Sequence, residues 1–360
     1  MKRKLDKIKG FYKLYTTGLT RREIEQLLQR DAVGALTYFQ KGAGTPERKT
    51  RSPLRAFLDI FISFLMKLTP ARRLMYGLVI LLFIGGLVRT HHLYLILSFI
   101  GVNFLLALEL VDKLTTRDEL EIAREIQMSL QPDQLPNLRM LSMACYSKPA
   151  KLVGGDFYDV VQPNPDWVVG IVGDVSGKGI SAALYAAYAQ SMFQSLSTKC
   201  GSPAELLKSL NTLISQRLRD GDFITALVAC FDLKERSVTI ARAGHNWPLY
   251  YSAADGNITE LRPKGISIGL FTGPEFDDNL EEQKIFLKNG DCLVFYSDGI
   301  TEATNSQRHM FDISGLKSAV SESVQGNSDA IIRQINLRLH DFVKSDELQD
   351  DATLMTVKID

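Results

Sequence analysis

The strongest hydrophobic signal in this 360-residue chain is a pair of apolar runs standing back to back. Leu74 to Val88 reads LMYGLVILLFIGGLV, and after Arg89-Thr90-His91-His92 the chain resumes as LYLILSFIGVNFLLALELV from Leu93 to Val111. Both runs are apolar on every face rather than along one stripe, the pattern of helices surrounded by nonpolar material. The second has the length needed to cross a bilayer, about twenty residues, and the first reaches it by drawing on Pro70 to Tyr76 with snorkelling arginines. A buried helical hairpin of a water-soluble domain is the competing reading. Arg51, Arg55, Lys67, Arg72 and Arg73 precede the pair, and Lys113 and Arg117 follow it, which favours a membrane hairpin with both flanks cytoplasmic and the RTHH turn outside. The pair is no signal peptide, because it begins about seventy residues in and carries no small-residue cleavage site.

Weaker periodicities flank the hairpin. Residues 1–69 are basic and mostly helical in pattern, notably LTRREIEQLLQRDAVGALTYF, in which Thr20 caps and Glu23 completes a capping box. Leu54 to Leu68 is amphipathic and suits either the membrane surface or an ordinary packed helix. Beyond the hairpin (70–111), residues 112–132 predict a linker helix stopped at Pro132, with Leu114, Ile122, Ile126 and Leu130 forming a narrow apolar stripe. That stripe suits a coiled-coil homodimer, and it equally suits a helix laid on its own domain's core.

From Leu141 the pattern shifts to short alternating runs that predict strands: Leu141–Tyr146, Trp167–Asp174, Thr225–Phe231, Val238–Ala243, Leu249–Ser252, Lys284–Leu287, Cys292–Ser297 and Thr353–Ile359. Helical patterns interrupt them as two pairs, Ile180–Leu196 with Pro203–Leu218, and a second pair within Ile313–Leu339. Strands and helices are grouped rather than alternating, which predicts a layered α+β domain with largely antiparallel sheets over residues 133–360.

Charge changes little in this picture. The chain carries 42 basic and 41 acidic residues, a net +1, so no global field draws it to nucleic acid. Cys145, Cys200, Cys230 and Cys292 are scattered, with no CxxC pair and no neighbouring histidines, which excludes a zinc site of that type and predicts four reduced thiols.

Candidate chemistry lies where acids end strand-like runs: Gly155-Asp156-Phe157, Gly173-Asp174-Val175-Ser176-Gly177-Lys178-Gly179, Ser297-Asp298-Gly299 and Asp350-Asp351-Ala352. One Asp-Gly pair is ordinarily a turn. Four acids at strand ends without a matching set of arginines call for a cation, and oxygen-only donors favour magnesium or manganese over zinc or copper. Gly177-x-Gly179-x-x-Ala182 also satisfies a permissive dinucleotide fingerprint. That reading fails because the following stretch is helix, turn and helix rather than a second strand ending in an acid.

EIAREIQMSLQP, VGGDFYDV, GDVSGKGISAAL, ALVACFD, AGHNWPLYY, YSDGITEA and DDATLMTVKI, in that order, resemble the metal-dependent protein phosphatases of the type 2C class, in the bacterial branch of the stage II sporulation and sigma-B regulatory phosphatases. The resemblance runs from about Leu120 to Asp360 and implies an α-β-β-α domain of two antiparallel sheets flanked by helices. It implies two ions, manganese or magnesium, held by Asp156, by Asp174 as the bridging carboxylate, by the Val175 carbonyl, and by Asp298 and Asp350. Asp351 is adjacent to the last of these and easily confused with it. The implied reaction is in-line attack of activated water on phosphoserine or phosphothreonine of an anti-anti-sigma-factor-like protein in a partner-switching pathway, with the catalytic domain at the cytoplasmic face of the inner membrane.

Three departures bear on mechanism. Ser176 stands where eukaryotic relatives carry a histidine proposed as general acid, which leaves protonation of the leaving group to solvent. His245 is a candidate replacement, although a histidine ordering its loop is the more economical role. No arginine takes an obvious phosphate-clamping position, which leaves Lys148, Lys151 and above all Lys178. The family's Gly-x-Pro-Leu-Gly turn here reads Gly265-Ile266-Ser267-Ile268-Gly269, which alters the flap. A rival of another class is a catalytically dead signalling scaffold, whose sign would be a lost ligand; all four aspartates are present.

Overall fold

The computed structural model describes residues 61–66, 68–90, 92–132, 134–136, 138–344 and 348–360. The Thr20–Glu23 capping box and most of the amphipathic stretch before Leu68 lie outside the described residues. The chain divides into two compact units, Met1–Thr115 and Thr116–Asp360.

The first unit holds helix α1 (Pro70–Arg89) and the beginning of α2 (His92–Leu130). Both helices are long and apolar enough to cross a membrane. They meet through glycine: a Cβ on Gly101 would fall 2.6 Å from Val79 Cγ2, and one on Gly86 2.9 Å from the Leu95 side chain. Small residues at such points let two helices approach closely. Near the other end of the pair, Arg72 bridges Glu109 at 2.9 Å and Asp112 at 2.7 Å. Helix α2 comprises 39 residues.

In the second unit, two five-stranded antiparallel sheets stack face to face. One has the order β1 (Leu141–Lys148), β10 (Ala352–Ile359), β9 (Cys292–Tyr296), β6 (Leu249–Ser252) and β7 (Asn257–Glu260). The other runs β2 (Phe157–Asn164), β3 (Trp167–Val175), β4 (Ile224–Asp232), β5 (Ser237–Ala243) and β8 (Glu282–Phe286). The period of two along a strand sorts side chains between layers. In β4, Leu227, Ala229 and Phe231 enter the core between the sheets, whereas Ala226, Val228 and Cys230 face helices α3 (Ile180–Ser197) and α4 (Pro203–Ile214). In β10, Met355, Val357 and Ile359 enter the same inter-sheet core, and Ala352 and Leu354 face α7 (Asp312–Ser323) and α8 (Ser328–Val343). The result is the four-layer α-β-β-α arrangement. Two single-turn helices, α5 (Pro274–Asp277) and α6 (Asp298–Thr301), complete the unit.

Two strands escape the hydrophobic pattern. Strand β2 contains Asp159, Pro163 and Asn164, and it is tolerated because it lies at a sheet edge, where proline costs no ladder bond. Asp159 is buried and accepts from Gln194 at 2.8 Å and from the Val160 amide at 2.8 Å. Strand β7 is a four-residue edge strand. Helix α4 ends at Ile214, not Leu218, and Asp298 opens the short helix α6 rather than ending a strand. All four cysteines are free, with Cys230 and Cys292 buried.

Candidate active site

The antiparallel pairing brings the acids together. Asp174 is the penultimate residue of β3, Asp298 follows β9, and Asp350 precedes β10. These three segments line one cavity of about 530 Å³, together with Val175, Ser176, Lys178, Phe223, Thr225 and His245. Asp156, buried just ahead of β2, is not on this lining but lies close enough to Asp174 for their charges to interact. Gly155 fixes the spacing: a Cβ there would stand 3.0 Å from the Val175 carbonyl oxygen and 3.2 Å from Asp174 Oδ1.

The carboxylates strain against one another. Burial, then the charge of Asp174, raises Asp156 well above the ordinary carboxylate range. Burial, then Asp298 and Asp350, pushes Asp174 up to about 7. Asp298 is raised by burial and then by Asp350. Asp156 Oδ2 is buried without a hydrogen-bond partner among the described residues. Lys178 lines the cavity as its one lysine or arginine among the described residues, and its Nζ lies 2.6 Å from Asp350 Oδ2. Among the described residues, no three acidic, histidine or cysteine side chains close on one point at metal-ligand spacing. The Lys178 ammonium takes one oxygen of Asp350. An orphaned buried oxygen, mutually raised carboxylates and an all-oxygen donor set fit a hard divalent cation.

Asp350 and Asp351 have separate tasks. Asp351 accepts from the Ala150 amide through one oxygen and from the Gly155 amide through the other, each at 2.7 Å, and so pins the loop that carries Asp156. The same loop is gripped from α2, where the Gln127 side-chain amide donates to the Gly154 carbonyl at 2.7 Å and accepts from its N–H at 3.2 Å. Neither Asp351's role nor Gln127 was legible in the sequence. Lone polar residues carry no pattern there.

Ser176 and the candidate acid His245 both make hydrogen bonds at the cavity. Ser176 Oγ accepts from the Phe223 amide at 2.8 Å. His245 is buried, with Nδ1 2.9 Å from Thr225 Oγ1 and Nε2 without a partner among the described residues. Burial, then the Arg242 charge, lowers it to about 4, so the ring is neutral at physiological pH. Arg242 donates to the carbonyls of His245, Pro263 and Gly265 and thereby fixes both the histidine loop and the start of the altered flap. Ile268 in that flap pairs with Ile224 through two 2.9 Å backbone bonds. Lys151 lines a neighbouring cavity rather than this one.

The family model for stage II sporulation protein E matches residues 165–360, more than half of the chain. The chain belongs to the SpoIIE family. That match contains Asp174, Asp298 and Asp350, while Asp156 precedes it. The SpoIIE-family chain is 30% identical over 248 residues to the phosphoserine phosphatase RsbU of Bacillus subtilis, covering 67% of this chain and 70% of that one. It is 26% identical over 231 residues to the phosphoserine phosphatase RsbP of the same organism, covering 61% of this chain and 56% of that one. The fold is that of the SiaA-PP2C domain of Pseudomonas aeruginosa, with a TM-score of 0.59, 19% identity, and coverage of 69% of this chain and 98% of that one. This SpoIIE-family member is a serine phosphatase of the RsbU/SpoIIE type.

Proposed function

We propose that the chain is anchored in a bacterial inner membrane and removes phosphate from phosphoserine or phosphothreonine of an anti-anti-sigma-factor-like signalling protein. Two divalent ions, manganese or magnesium, are held by Asp156, Asp174, the Val175 carbonyl, Asp298 and Asp350. The observation that carries this reading is the meeting of Asp174, Asp298 and Asp350, from three distant segments, on one cavity, with the orphaned carboxylate of Asp156 close to Asp174. When bound, such ions acidify water and neutralise charge on a phosphoryl group.

The chain's own residues do the rest. Gly155 leaves space beside Asp174 and the Val175 carbonyl. Asp351 and Gln127 hold the Asp156 loop in register. Neutral His245 contacts Thr225 at the cavity wall, and protonation of the leaving oxygen falls to solvent. The test is metal removal on the intact chain in detergent. Hydrolysis of a phosphoserine peptide should disappear with a chelator and return with manganese. Turnover that survives chelation would refute metal catalysis, and no turnover under any condition would favour the inert scaffold.

Anchoring is supported by the lipid-suited exposure of Leu81, Leu87 and Phe99 on α1 and α2. Pairing through the linker is supported by Ile122 and Ile126, which stand 57% and 59% exposed rather than laid on the core. Gln127 would then connect that helix to the metal loop. Gln127→Ala removes two hydrogen bonds worth about 1 kcal/mol each. The manganese concentration for half-maximal activity should rise roughly 5- to 20-fold with saturated turnover largely kept; an unchanged manganese requirement would remove Gln127 from this role.

A further inference from the structure

We infer that Lys178 is a two-position residue, whose ammonium competes with a divalent cation for Asp350 and, once displaced, faces the substrate phosphate. The inference rests on the metal site proposed above. Lys178 Nζ lies 2.6 Å from Asp350 Oδ2 and 3.3 Å from the Gln349 carbonyl. Magnesium-like ions bind a carboxylate oxygen at about 2.0–2.1 Å. An ammonium and a divalent ion on the same oxygen would crowd and repel each other, so the ion's arrival drives the ammonium off.

Release is easy on two counts. The Lys178 and Asp350 side chains are 50% and 40% exposed, so the pair is solvent-screened and weak. Lys178 also sits between Gly177 and Gly179, both at φ +89°, with open space where either Cβ would be. The displaced ammonium has few places to go. Lys178 and Asp350 are shared by the main cavity and a neighbouring one of about 160 Å³. Among the described residues Lys178 is the one lysine or arginine on the main cavity's lining, so a phosphate entering there meets it as a point charge. One residue thus raises the threshold for metal and then contributes to phosphate binding.

The two positions predict opposite effects from one substitution. In the full-length protein, Lys178→Gln should bind manganese about 2- to 5-fold tighter by calorimetry. The same variant should be inhibited about 5- to 10-fold less strongly by inorganic phosphate. Lys178→Arg, which keeps the charge, should stay near wild type in both. In an Asp350→Asn background the gain in manganese affinity from Lys178→Gln should vanish. A gain that persists there marks a general field effect and overturns the inference. Unchanged or weaker manganese binding by Lys178→Gln, with wild type binding normally, overturns it alone. Wild-type protein that binds no manganese overturns the metal site together with it.

Discussion

Asp174→Asn is expected to slow phosphoserine hydrolysis by about 100- to 1000-fold, the scale of losing one preorganised electrostatic group, while making the chelated protein more stable. The two effects share a cause. Asp174 is pushed up to about 7 by burial first, then by Asp298, Asp350 and Asp351, so folding disfavours its charged form. An unfolded aspartate titrates near about 3.9. The penalty is therefore absent below about pH 4, grows as pH rises from about 4 to 7, and is complete above about 7. With chelator present, wild type should melt lower at about pH 8 than at about pH 5, and the asparagine variant should lose much of that difference. Differential scanning fluorimetry across that range decides it. A variant that melts below wild type at about pH 8 would contradict mutual repulsion at the site.

The neighbouring acids should separate cleanly. Asp350→Asn removes a cavity carboxylate whose partner is a half-exposed lysine, so it should lower activity by about 100-fold with little change in melting temperature. Asp351→Ala leaves the Ala150 and Gly155 amides without their acceptors, at a cost of about 3 kcal/mol. For a unit of this size that is roughly 6–12 °C in melting temperature. Thermal melts beside initial rates for both variants read the contrast. Equal thermal losses, or an Asp351→Ala protein as stable as wild type, would contradict the division between ligand and brace.

What the sequence revealed follows from how local each signal is. Strands β3, β4, β9 and β10 are central in their sheets, buried on both faces and rich in Val, Ile, Leu and Phe, so their runs announce themselves. Strand β2 did not, because Asp159 reads as one more acid in GGDFYD; its burial is satisfied by the Val160 amide and by Gln190 and Gln194 from α3. The four aspartates were legible as an ordered set of turn-flanked acids. Their supports were not. Gln127 reaches a loop 27 residues away, Asp351 spans 196 residues to Gly155, and Ser176 meets Phe223 across 47. Such contacts exist only once the sheets have stacked.

Electron paramagnetic resonance of manganese titrated into the intact protein tests the paired-ion site most directly. The aspartate cluster predicts a spin-coupled pair of ions in wild type and its loss in Asp174→Asn. A spectrum showing only free or isolated manganese at saturating metal would contradict it.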